Sequence, residues 1–121
     1  MISNFINKNI GNLLIINAKP DASGLGNLLP KKEPVGAGAL SMRYEPDTSY
    51  LYIVKSELKL YCDRLNYNFK ELESDLSKSG RLVDRRKRYA MSKGWNKGVS
   101  NQRSWTLQLR YEEKDFEDDS E

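Results

Sequence analysis

The chain has 121 residues, enough for one small domain and too few for a separate catalytic domain beside it. It has no histidine and a single cysteine, Cys62, which excludes an internal disulfide, a Ser–His or Cys–His nucleophile pair and the usual His/Cys metal cluster. The net charge of +3 hides an asymmetry: residues 81 to 110 hold nine cations against Asp84 alone, and the tail from Tyr111 holds seven acids against Lys114.

At the N-terminus, Ile2, Phe5, Ile6 and Ile10 recur at the spacing of one helix face, with Ser3 or Asn4 able to cap it. Gly11-Asn12 ends that helix, and the apolar run LLIIN over residues 13 to 17 reads as a buried strand. Residues 18 to 38 hold three of the four prolines and four of the eight glycines, the composition of a loop or linker. Gly24-x-Gly26 within it lacks the third glycine and the strand–helix frame of a dinucleotide site.

Two strands follow, marked by the alternation Leu40/Met42/Tyr44 and Leu51/Ile53. Pro46 and Asp47 between them supply turn chemistry. Ser56 is the expected cap of a helix over residues 57 to 65, with Leu58, Tyr61, Cys62 and Leu65 on its buried face. Asn68 should cap the next helix, with Glu71 three residues on as the partner of a capping box. Phe69, Leu72 and Leu76 line its inner face, and Gly80 is placed to stop it.

Two final strands are expected, one opening at Leu82-Val83 and one alternating Trp105, Leu107 and Leu109. On that alternation Trp105 belongs in the core. Tyr89 could stack on bases or pack against the helices. The polar SKGWNKGVSNQ between the strands reads as a flexible hairpin tip that exposes Trp95. The acidic tail is expected to be disordered past about Phe116 and within reach of the basic hairpin. No apolar run reaches the roughly 18 residues of a membrane span, and no basic n-region precedes an apolar stretch. A cytoplasmic protein is the default, in the host cytoplasm if the chain is viral.

From residue 49 the order is strand, helix, helix, strand, long basic loop, strand. That is the order of a winged helix-turn-helix, in which the hairpin is the wing. The fold expectation is therefore α+β: a small winged helix-turn-helix-like domain over residues 39 to 111. A helix–strand appendage (1 to 17), a linker (18 to 38) and an acidic tail (112 to 121) flank it. The second helix mixes Lys70 and Lys78 with Glu71, Glu73 and Asp75, so phosphate binding falls to the wing. The candidate nucleic-acid-binding residues are Arg85, Arg86, Lys87, Arg88, Lys93, Trp95, Lys97 and Arg103. Arginine and lysine give affinity without sequence choice, and an exposed indole can stack on a base. There is no P-loop, and no catalytic residue, metal or cofactor is expected.

Residues 43 to 48 (Arg43, Tyr44, Glu45, Pro46, Asp47, Thr48) resemble the strand–turn–strand in the C-terminal region of phage and mobile-element primase–helicase replication proteins. Tyr61-Cys62 and Asn66-Tyr67-Asn68 fit the helix pair that follows it there, and the resemblance covers about residues 34 to 110. It implies a replication setting, an accessory DNA-binding role on duplex or single strands, and a replication helicase or other protein as a further partner. It also implies that Met1 could open a fragment of a longer chain. That family's ATPase and primase sites have no counterpart here. The competing expectation is a small phage-encoded inhibitor or adaptor that binds another protein through the helix pair, the basic hairpin or the acidic tail. A weaker third is an enzyme subunit completed by a partner chain. Oligomeric state is not legible.

Overall fold

The structure, a computed structural model, describes residues 2–17, 40–91 and 103–112. It is a mixed α+β fold: helices α1 (Ile2–Lys8), α2 (Lys55–Arg64) and α3 (Phe69–Lys78) with a five-stranded sheet. The strands are β1 (Leu13–Ile15), β2 (Met42–Glu45), β3 (Tyr50–Val54), β4 (Leu82–Ala90) and β5 (Arg103–Arg110). Their order across the sheet is β1-β2-β3-β5-β4. β1 runs parallel to β2, and the remaining neighbours are antiparallel.

The expected appendage is therefore built into the domain. β1 extends the sheet, and Phe5 and Ile6 of α1 join the core cluster that also holds Met42, Leu58 and Leu107. The sequence alternation sorts the side chains as a pleated strand must. Leu13, Met42, Tyr44, Leu51, Ile53, Leu107 and Leu109 face the helices. Leu14, Ile16, Tyr52 and Tyr89 gather in a second cluster with Leu40 and Met91.

At α3 the Asn68 cap and the Gly80 stop hold, although the Glu71 side chain does not return to the Asn68 amide to complete a capping box. The Asn68 side chain accepts hydrogen bonds from the amides of Lys70 (2.9 Å) and Glu71 (3.4 Å), which satisfies two otherwise orphaned donors. At the other end Gly80 takes φ +81, its amide reaches the Ser77 carbonyl and the Arg81 amide reaches that of Leu76. These are the two bonds of a Schellman stop. At α2 the expectation fails. The helix starts at Lys55, directly from the end of β3, with Val54 at the cap position and no side-chain cap bond, so Ser56 lies inside the first turn. Leu65 is exposed rather than buried, because α2 ends at Arg64 and the chain reverses through Asn66 at φ 54. Among the described residues no helix is long and apolar enough to cross a membrane.

Candidate nucleic-acid interface

The basic hairpin stands on a buried polar anchor. On the sheet face away from the helices, Arg43 and Glu45 have side chains that are 0% and 1% exposed, paired Nε to Oε2 at 2.9 Å. Arg43 Nη1 also donates to the Met91 carbonyl at 3.1 Å, just past the end of β4. The Tyr89 hydroxyl donates to Glu45 Oε2, and Thr48 Oγ1 donates to Glu45 Oε1 at 3.0 Å. Tyr89 stacks flat on Tyr52, with centroids 4.1 Å apart and planes 5° apart. Burial, then the bond to the Glu45 carboxylate, pushes the Tyr89 hydroxyl up to about 12. Burial pushes Tyr52 up further, helped by the charge of Glu45. Tyr89 thus stacks neither on a helix nor in solvent: it pins β4 to β2 and β3.

Two irregularities in β4 aim its basic residues. Leu82 pairs with Leu109, Asp84 with Gln108 and Lys87 with Thr106, so β4 gains an extra residue between each of these pairs. Asp84 Oδ1 accepts the Arg86 amide at 2.9 Å and fixes the second bulge. Bulges raise local twist and re-aim side chains at sheet edges. The cationic run is thereby divided. Lys87 is half-buried, next in the strand to Arg88, which pairs with Trp105 across the other face; Thr106 Oγ1 donates to the Lys87 carbonyl at 2.8 Å. Arg85, Arg86 and Arg88 are exposed. Arg86 and Arg88 both lie over the Trp105 ring, their guanidinium carbons 5.0 and 5.5 Å from its centre.

Trp105 corrects the expectation of a core residue: it is 46% exposed, whereas Leu107 and Leu109 on the same alternation are fully buried. The reason lies in the register. The last β3–β5 pair is Val54 with Thr106, and the next residue, Lys55, already belongs to α2. On that side Trp105 has no neighbouring strand. Lys93, Trp95 and Lys97 lie outside the described residues, as do the side chain of Arg103, the expected linker and the tail beyond Glu112. Arg81, another cation of the basic segment, is occupied structurally: it lies 4.6 Å over the Tyr111 ring and donates to the Arg110 carbonyl at 3.2 Å.

The basic surface continues onto the helices. Lys55 Nζ reaches the Arg85 carbonyl at 3.4 Å and pairs with Glu73 at 3.5 Å. Lys55 and Lys59 both lie over the Phe69 ring, at 5.8 and 5.5 Å. With Asn68, Lys70 and Glu73 they line a pocket of 310 Å³ where α2 meets the start of α3. No protein-family model, curated protein or solved structure matches the chain. What it does must be sought in its own side chains.

Sequence reasoning missed two parts of this arrangement, Trp105 as a surface residue and the Arg43–Glu45–Tyr89 anchor. The uninterrupted run Tyr50 to Val54 in β3 was the available signal for the second. A strand with one wet face alternates, and one covered on both faces does not.

Proposed function

We propose that the chain is a non-enzymatic nucleic-acid-binding module that holds the phosphate backbone through Arg85, Arg86 and Arg88 of β4. The observation that carries this is the pair Arg86 and Arg88 held over an exposed tryptophan, with no carboxylate among the described residues paired to either. A guanidinium stacked on a ring keeps its in-plane N–H donors, which match phosphate oxygens two at a time. The arrangement β3-α2-α3-β4-β5, with β5 between β3 and β4, supports the winged-helix reading with β4–β5 as the wing. Exposed Glu71 and Asp75 on α3 disfavour that helix as the principal phosphate contact. On this reading the module belongs to a phage replication protein, the setting implied by the segment from Arg43 to Thr48. Exposed Leu60 on α2 and Leu65 at its C-terminal end favour a second reading, a protein partner docking on the helix pair.

The test is anisotropy of labelled DNA titrated with wild type and with an Arg85→Ala/Arg86→Ala/Arg88→Ala variant. The variant should lose most of its affinity at low salt and unfold at nearly the wild-type temperature. A variant that folds and binds DNA like wild type would sink the reading.

A further inference from the structure

We infer that Trp105 is a stacking platform for an unpaired base, so that the β4–β5 surface takes single-stranded rather than duplex nucleic acid. This rests on the nucleic-acid reading above and narrows it to one substrate class.

Three features of the corner point there. The first is position. β3 leaves the sheet at Val54, level with Thr106, so the indole of Trp105 stands at an open step between β4 and the start of α2. Nearly half its surface is open, although Leu107 and Leu109 on the same face of the strand are wholly covered. The second is company. Two guanidiniums lie over the ring, at 5.0 and 5.5 Å. Arginine over the ring relieves part of its exposure and keeps its N–H groups open to a ligand, and a long exposed side chain can swing off the ring face when a base takes its place. The third is unspent charge. Asp84, the one acid of the segment, uses Oδ1 on the backbone amide of Arg86, and neither Arg86 nor Arg88 has an ion pair among the described residues.

An aromatic ring with two cations within 5.5 Å, neither of them ion-paired among the described residues, offers the two contacts that a nucleotide needs together, a base face once a guanidinium gives way to the base, and a phosphate partner. Stacking is indifferent to base identity, because every base has a π-face. It is not indifferent to strandedness. In a duplex both faces of a base are already stacked on neighbours, and freeing one costs a few kcal/mol. Reading a duplex groove would instead need hydrogen-bonding side chains that reach base edges, and the exposed face of α3 offers Glu71 and Asp75 beside its lysines.

The experiment titrates the full-length protein against labelled oligothymidylate and against a labelled duplex of equal length. The proteins are wild type, Trp105→Ala, Trp105→Phe and Arg86→Ala/Arg88→Ala, each checked for folding by thermal unfolding. Wild type should prefer the single strand. Trp105→Ala should weaken single-strand binding roughly 5- to 150-fold, the factor that one base–aromatic stack is worth, and change duplex binding far less. Trp105→Phe should recover most of the loss, and the double arginine variant should weaken both ligands. If Trp105→Ala binds the single strand like wild type while the arginine variant does not, the platform is wrong and the nucleic-acid reading stands. If wild type binds neither DNA, both fail. If polyglutamate displaces the single strand as well as unlabelled oligothymidylate does at equal charge, the surface recognises acidic polymers in general, and the inference is overturned.

Discussion

Tyr89 lies parallel to Tyr52 at 4.1 Å and donates its hydroxyl to the buried Glu45, so a strand at the sheet edge is tied to two strands at its centre. That tie makes β4 a rigid mount for Arg86 and Arg88. Tyr89→Phe keeps the ring stack and removes the hydroxyl. A hydrogen bond to a charged acceptor contributes about 1.5–3 kcal/mol, and urea unfolding should show a loss of that size. A loss below about 0.5 kcal/mol would mean that the bond does not anchor the strand.

The same contact sets a dependence on alkaline pH. Tyr89 ionises near 10 when unfolded and at about 12 in the fold, and Tyr52 shifts in the same direction. Folding therefore favours the neutral phenols. The Tyr89 contribution is complete below about pH 10 and is lost as pH rises through about 12. Urea midpoints taken across that window should fall, and tyrosinate absorbance of the folded protein should lag behind that of free tyrosine. Tyr89→Phe should show a shallower fall than wild type.

Arg43 and Glu45 are fully buried and must be kept or lost together. Arg43→Met leaves a buried carboxylate without its cation and should cost about 3–5 kcal/mol. Adding Glu45→Gln to Arg43→Met should restore a measurable part of that, read as the coupling energy of a double-mutant cycle. Strict additivity of the two variants would show that the pair is not the coupled unit described above.

Trp105→Ala should be mild in the folded protein. Emptying a large core site costs about 3–5 kcal/mol, but Trp105 already has nearly half its surface in water, and the loss should stay near 1 kcal/mol. In a Trp95→Phe background, Trp105 emission should be quenched readily by acrylamide. Strong protection together with a large stability loss would return Trp105 to the core.

Much of the fold was legible in the sequence because local rules and tertiary contacts agreed. The alternation of Met42/Tyr44 and Leu51/Ile53, the cap at Asn68 and the stop at Gly80 all lie where short-range chemistry puts them. Three things were not legible. Alternation assigns Trp105 to a face, but it does not say where the covering layer ends, which is decided by β3 turning into α2. Arg43 and Glu45 look like the wet side of a strand, and only a sheet buried on both faces makes them core. The run Arg85 to Arg88 looks like one patch, and only the bulges beside Asp84 decide which cations stand by Trp105. In the first two cases the deciding contact lies far along the chain from the residue it governs, and in the third a contact two residues away shows its effect only in the pairing with β5.

The salt dependence of oligothymidylate binding tests the central claim most directly. With about three phosphates held by Arg85, Arg86 and Arg88, log K against log salt should fall with a slope of about −2 for a single strand. Arg86→Ala/Arg88→Ala should flatten it by about 1.4. A slope near zero, or a slope that the double variant leaves unchanged, would contradict nucleic-acid binding at this surface.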